Sequence, residues 1–364
     1  APGLGARTVI NSRLRNKPIR WIAGADLSHQ RDDRKRFDNN NGIKGSQTLD
    51  RFETVTSIGP YLRAEWQYLP RIELVAGIRY DHVEFDLEDN FLSDGDQSGS
   101  RTLSEWSGTL GAVYHFHKSL HGYANIATAF ETPTTTELAN DPSGGSGFNQ
   151  NLDSQLSVSY EVGLKERIGN RMDYDLAVFV IQSWNELIPF EIITSPGRTF
   201  FKNAGQSRRV GLEVAMRFQP VERIETGLSY AFSDFRFTRF DDNGSDLSGN
   251  FIPAMPEHRI VANLRADSSS GWFAKGEIQY VSSFFVNDEN TVDNPSYITN
   301  RFSFGRKKAV GKSQLSVFLG VENIFDQSYN ANTRINATGG RYFEPGQPFT
   351  LFGGVSWVYL AAAK

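Results

Sequence analysis

The fold the sequence predicts is an all-β, antiparallel transmembrane β-barrel of about fifteen strands, and three observations predict it. The first is strand length and alternation. Over residues 349–359 the odd positions Phe349, Leu351, Gly353, Val355, Trp357 and Tyr359 are apolar, aromatic or glycine, with Thr350 and Ser356 among the even ones. Successive side chains of a strand point to opposite faces, and about ten alternating residues with aromatics near both ends match a tilted strand crossing a bilayer. Strands of soluble sandwiches are nearer five or six residues. The second observation is repetition of this unit along the chain. The third is that connections alternate between short and long, the two-rim layout of membrane barrels.

The short connections fall at 15–18, 69–71, 117–119, 167–171, 219–222, 268–271 and 306–312. The long ones, rich in Asp, Asn, Ser and Gly, fall near 33–51, 88–104, 131–155, 185–204, 236–257, 286–297 and 326–347. Between them the faces separate. Leu62, Ala64, Trp66 and Tyr68 oppose Arg63, Glu65 and Gln67; Leu74, Ala76, Ile78 and Tyr80 oppose Arg79 and Asp81. Val210, Leu212, Val214 and Met216 likewise oppose Arg209, Glu213 and Arg217. Lys or Arg facing lipid at the midplane costs roughly 2–4 kcal/mol, so these charges belong to a wet lumen. The strand count is odd, whereas a barrel with both ends in the periplasm needs an even one, so a further strand is expected upstream.

The 364 residues contain no Cys, 33 Gly and 13% aromatics, with a net charge of −4. Lack of Cys excludes a disulfide framework and thiolate metal sites. The weak negative charge gives no reason to expect nucleic acid as a partner. No apolar run reaches the length of a membrane helix, and low mean hydropathy fits alternating strands as well as a soluble chain.

Several phrases then carry a family resemblance. They are Ala127-Thr-Ala-Phe-Glu-Thr-Pro133, Ser159-Tyr-Glu-Val-Gly-Leu-Lys165, Asn203-Ala-Gly205 with Arg209-Val-Gly-Leu-Glu213, and Ile252-Pro-Ala-Met-Pro256 with His258. Val321-Glu-Asn-Ile-Phe-Asp326 with Tyr329, Gly340-Arg-Tyr342, Glu344-Pro-Gly346 and Gly354-Val-Ser-Trp357 complete the set. In this order they resemble the C-terminal part of the barrel of a TonB-dependent outer-membrane receptor. The resemblance implies a plugged barrel of twenty-two strands, of which residues 1–359 match strands eight to twenty-two, the N-terminal plug and TonB box being absent. Residues 360–364 then read as an extension or the remnant of a tag. It implies residence among the lipids of the Gram-negative outer membrane. It also implies uptake of a scarce bulky nutrient, foremost a ferric siderophore, powered by the TonB complex acting through the plug. A receptor for cobalamin, haem or another metal complex, a passive porin-like channel, and a surface adhesin or barrel enzyme stay open as alternatives. Within these phrases, Asn323 and Asp326 suit an Asx-type turn. Pro253 and Pro256 suit a loop outside the ladder. Gly163 and Gly211, on the lumen side, leave room for a plug or another backbone.

Candidate chemistry is sparse. His115-Phe-His117 with His121 has a metal-like spacing, but it straddles a short turn, and the solvated-turn reading is preferred. Asp86, Glu88, Asp89, Asp94 and Asp96 lack the glycine and terminal Glu of a calcium loop and read as a solvated acidic loop. No nucleophile–base motif appears, so no enzyme activity and no cofactor is expected. The long loops are where a ligand is caught. There Asp288 and Asn290, with Arg334, Asn336, Arg341 and Tyr342, offer the cationic, amide and aromatic groups that suit an anionic ferric chelate. These six are the candidate ligand-binding residues.

Overall fold

A computed structural model describes residues 2–142, 147–192, 198–242 and 244–359; the predicted extension at 360–364 lies outside them. The chain forms β1 (Gly3–Leu14), β2 (Lys17–Asn40), β3 (Ile43–Leu69), β4 (Ile72–Asp89), β5 (Gly99–His115), β6 (Leu120–Glu131), a one-turn helix α1 (Thr135–Leu138) and β7 (Gln155–Ile168). It continues with β8 (Met172–Glu191), β9 (Thr199–Val221), β10 (Ile224–Arg239), β11 (Asp241–Asp242), β12 (Ser245–Asp246), β13 (His258–Asp267) and β14 (Trp272–Val281). The last strands are β15 (Phe284–Phe285), β16 (Asp293–Asn294), β17 (Tyr297–Val310), β18 (Ser313–Glu322), β19 (Asn330–Thr333), β20 (Phe343–Pro345) and β21 (Thr350–Tyr359). Fifteen of them make one antiparallel meander in chain order, β1 to β10 and then β13, β14, β17, β18 and β21; the remaining six pair as small hairpins within loops.

This is the predicted barrel sheet with the predicted strand count. The tight turns after β1, β3, β5, β7, β9, β13 and β17 each join an odd-placed strand of the meander to the next and so lie at one rim; the long connections and the tip of the extended β2–β3 hairpin lie at the other. Lumen-facing charges pair with one another, across strands in Arg79 with Asp26 at 2.9 Å, Lys165 with Asp175 at 2.7 Å and Arg301 with Glu322 at 2.8 Å, and along one strand in Arg79 with Asp81 at 2.8 Å and Arg265 with Asp267 at 2.7 Å. Such exposed pairs contribute little individually. Their role is to keep charge off the lipid face.

The lipid face is bounded by rings. Near the tight-turn rim Trp66 packs on Tyr68 with centroids 4.9 Å apart, Tyr114 on Phe116 at 4.8 Å, and Trp272 on Phe304 at 4.9 Å. At the opposite boundary Tyr80 meets Trp106 at 4.9 Å. The outward residues of β4 between these girdles run from Ile72 to Tyr80, about the nine-residue span a tilted strand needs.

Three expectations are corrected. Most of the segment 33–51 is not a loop, because the ladder of β2 and β3 continues through it to a turn at Asn41 and Gly42, where Gly42 N–H donates to Asn39 Oδ1 at 2.7 Å. Its polar composition reflects a hairpin with water on its exposed face. Parts of 88–104 and 185–204 are strand for the same reason. Gly163 and Gly211 do face the lumen, but what approaches them is a ring of the neighbouring strand, Tyr123 over Gly163 and Phe179 over Gly211. A Cβ at either position would enter that ring. Asn323 and Asp326 do bound a turn, but its closing bond is main-chain, Asp326 N–H donating to the Asn323 carbonyl at 2.9 Å, rather than the expected Asx type; Asn323 Oδ1 accepts from Gln327 N–H at 3.0 Å, and Asp326 Oδ1 from Phe349 N–H at 2.8 Å.

Candidate functional site

The long-loop rim carries its own interior. Past Tyr80 and Trp106 the inner face of the sheet turns apolar, with Phe85, Leu87 and Leu103 all buried. The 131–155 connection folds back onto this face. Thr134 caps α1 by accepting from Glu137 N–H at 3.3 Å, while the Glu137 carboxylate accepts from Thr134 N–H at 2.7 Å, a reciprocal capping box. That fixes Leu138 at 0% exposure against Phe85, Phe148 and Leu152. Arg101 holds the far end of the loop, donating to the Gln150 carbonyl at 2.7 Å, the Leu152 carbonyl at 2.9 Å and Asp153 at 2.7 Å.

The six sequence-predicted residues divide into two groups. Asp288, Asn290 and Asn336 point between loops. Asn336 accepts from Asp288 N–H at 2.9 Å and donates to the Asp288 carboxylate at 2.8 Å and to the Pro189 carbonyl at 3.2 Å. Asn290 donates to the Phe251 carbonyl at 2.9 Å and accepts from Phe251 N–H at 2.7 Å. The Asp288 carbonyl accepts from Asn250 at 2.9 Å. The end of β8 and the connections after β10, β14 and β18 are therefore tied together beside one buried carboxylate, that of Asp288. Burial raises the Asp288 pKa to about 6, against the Asn336 hydrogen bond and the attraction of Lys202; its Oδ1 is buried without a hydrogen-bond partner.

Arg334, Arg341 and Tyr342 belong to the β19–β20 hairpin. Arg334 N–H donates to the Tyr342 carbonyl at 2.8 Å, closing the hairpin, and both arginine side chains are exposed. Tyr342 is half-buried, with its ring 6.0 Å from Phe343. The structure thus joins Asp288 directly to Asn336, and brings Arg334 and Arg341 to the outward end of the same loop assembly.

Sequence reasoning missed a second polar centre in the mouth. Glu53, 1% exposed, accepts from Arg34 at 2.8 Å and pairs with Arg51 at 2.6 Å; Arg34 also donates to Thr136 at 3.0 Å. Its signal was present in β4, where the apolar positions shift from even numbers up to Tyr80 to odd numbers from Val83. That shift places Glu53 and Arg51 in a folded interior.

Deeper in the lumen a cavity of about 500 Å³ is lined by Tyr123, Glu161, Glu213 and Arg259, with Tyr123 donating to Glu161 at 2.7 Å. A larger one of about 790 Å³ reaches the tight-turn rim past Lys165, Asp173 and Arg217. The histidines do not converge on a common point. His115 and His121 meet through their Nδ1 atoms at 2.7 Å, whereas His117 turns to Ser119 at 3.2 Å. Among the described residues no group of three or more His, Asp or Glu side chains is placed to hold a metal ion.

A meander of this width, with an ionic lumen, aromatic girdles and interlocked loops at one rim, is the sheet of a large outer-membrane β-barrel. The chain belongs to the TonB dependent receptor-like β-barrel family, whose description it matches over residues 5–324, and it is therefore an outer-membrane protein rather than an enzyme. It is 26% identical over 297 residues to the ferrioxamine receptor of Yersinia enterocolitica, a match covering 80% of this chain and 38% of that protein. In fold it is similar to the ferric citrate transporter FecA in its unliganded form, with TM-score 0.79 and 17% identity, over 98% of this chain and 54% of that one. The ferric preacinetobactin receptor BauA of Acinetobacter baumannii gives TM-score 0.76 and 16% identity over 98% and 53%. The chain spans little more than a third of the curated relative and about half of these solved structures.

Proposed function

We propose that this chain is the C-terminal portion of a receptor barrel that captures a ferric siderophore from outside and passes it inward. A plug domain supplied by the rest of the protein would engage the TonB complex. The observation that carries the reading is the loop assembly around Asp288 and Asn336, which ties three connections and the end of β8 together at the mouth of an ionic lumen. Such an arrangement suits enclosure of a bulky solute, whereas a freely open pore has no use for loops tied to one another. The relative of known ligand is named for ferrioxamine, a ferric chelate. Within this assembly Arg334, Arg341 and Tyr342 are the outward groups for first contact, and Asp288, Asn290 and Asn336 hold the loops that present them.

The test uses the full-length protein in cells lacking other iron receptors. Labelled ferric siderophores are offered with and without a proton-motive force. Energy-independent surface binding followed by energy-dependent accumulation supports the reading. Accumulation unaffected by an uncoupler indicates a passive channel instead.

A further inference from the structure

The two rims of the sheet differ in charge. The seven short connections named above together hold ten Lys and Arg against one acid, Glu222, whereas the seven long ones hold twelve against twenty-two. Short connections of a membrane barrel lie on the periplasmic side, so the basic rim adjoins the periplasm-facing leaflet. Four of the ten cations, Arg306, Lys307, Lys308 and Lys312, fall in the one segment that ends β17 and turns into β18.

Strand parity sorts them. On β17 the even positions Phe302 and Phe304 are exposed on the lipid side, so Arg306 and Lys308 share that outward face, while Lys307 turns inward over the ring of Phe273 at 5.0 Å. The register gives each outward cation its neighbours. Arg306 stands opposite Trp272 on β14 and Val317 on β18; Lys308 stands opposite Leu315, itself opposite Trp357 on β21. The Arg306 guanidinium lies 5.2 Å over the Trp272 ring, and its Nε donates to the Ser270 carbonyl at 3.4 Å. Among the described residues these two are the only Lys, Arg, Asp or Glu on the outward face of β13, β14, β17, β18 and β21. In the lumen, Arg265 has Asp267 and Arg301 has Glu322. On the outward face no acid takes that part, and the counter-charge within reach is that of the membrane.

The surroundings suit a lipid better than a dissolved anion. Arg and Lys extend their charged ends along apolar surface toward the headgroup layer, and Trp favours the same level. Alternate residues of one strand lie about 7 Å apart, close enough for both cations to engage one phosphodiester headgroup while its acyl chains run along the apolar face past Phe304 and Phe302. A soluble polyanion has no use for that aromatic flank.

We propose that Arg306 and Lys308, flanked by Trp272 and Phe304, form a binding site for an anionic phospholipid of the periplasm-facing leaflet. The inference goes beyond the receptor reading and holds whichever cargo the barrel carries.

The test is native mass spectrometry of the full-length receptor in a neutral detergent, titrated with phosphatidylglycerol and, separately, with zwitterionic phosphatidylcholine. The wild type retains phosphatidylglycerol in preference. Arg306→Gln/Lys308→Gln weakens that binding about twenty-five-fold, roughly fivefold for each cation near a charged membrane surface, and leaves phosphatidylcholine unchanged. Lys275→Gln/Lys307→Gln removes the same charge from the lumen face of β14 and β17 and leaves both lipids unchanged. Heat-modifiable gel mobility confirms assembly of every variant. Equal weakening in the lumen-face variant reduces the effect to net charge and overturns the site, as does a wild type indifferent between the two lipids. Displacement of the lipid by inorganic phosphate, but not by chloride at the same ionic strength, reassigns the cations to a free anion and overturns it too. If the glutamine variant instead changes the proportion of receptor dimers with lipid retention unaltered, the face belongs to a second copy and the lipid site falls.

Discussion

Strands β4 and β5 are read twice by two different solvents. Between Ile72 and Tyr80, β4 is apolar outward and carries Arg79 inward; from Val83 to Leu87 it is apolar inward and carries Glu84 and Asp86 outward. β5 does the same, with Leu110 and Trp106 exposed on the outside and Leu103 buried within. The backbone ladder is continuous across the change. What differs is the medium, since lipid outside and water inside demand one pattern, and water outside with a folded loop inside demands its inverse. The shift at Asp81 and His82 therefore marks the membrane boundary from within the sequence.

The strongest way to break this comparison is in the mouth. Leu138→Ala removes the most enclosed aliphatic side chain of the loop interior and is expected to destabilise the 131–155 fold by about 2–5 kcal/mol. Hydrogen exchange in the full-length receptor reads it as lost protection over 135–152, with barrel strands unaffected. Lost protection across the belt would mean the two regions fold as one. The belt is tested by position on a single face. Leu110→Arg, facing lipid, is expected to cost about 2–4 kcal/mol, whereas Thr102→Arg, on the same face beyond the girdle, stays within about 0.5 kcal/mol. Urea titration of protein folded into vesicles measures both, and equal penalties would misplace the boundary.

A smaller effect concerns pH. Asp288 has an ordinary value of 3.8 raised to about 6 by burial. Between about pH 4 and 6 the assembled loops hold a proton that separated loops release, so loop stability falls as pH rises through that window and levels off above it. The change is on the order of 1–3 kcal/mol. Limited proteolysis of the loops should be slower at pH 5 than at pH 7, and Asp288→Asn should flatten the difference. The smallest expected effect is on capture. Arg341→Ala is expected to raise the dissociation constant of a ferric siderophore by roughly tenfold, whereas Arg217→Ala, in the lumen near a tight turn, leaves binding unchanged. Whole-cell binding without energy supply decides it, and equal behaviour of the two would move the ligand away from the β19–β20 hairpin.

The barrel was legible because its determinants are periodic. Alternation from Leu62 to Tyr68 and the order of short and long connections locate strands, faces and rims without any long-range contact. The mouth was legible only in part. Asp288, Asn290 and Asn336 stood out as polar groups in loops, but whether an amide meets a ligand or a neighbouring loop depends on partners up to 147 positions away, as Asn336 and Pro189 illustrate. The Arg34–Glu53–Arg51 cluster escaped notice because residues 33–51 read as solvated loop. Their polar composition obscured a ladder that the apolar shift after Tyr80 already implied.

The loop assembly has a consequence for how this surface can diversify. Several of its ties are addressed to main chain: Asn290 to both backbone groups of Phe251, Asn336 to the Pro189 carbonyl and the Asp288 N–H, and Asn250 to the Asp288 carbonyl. Main-chain groups are the same whatever residue carries them. A handful of fixed amides can thus hold the frame while the residues around them are exchanged, so the side chains displayed at the mouth can change without rebuilding it.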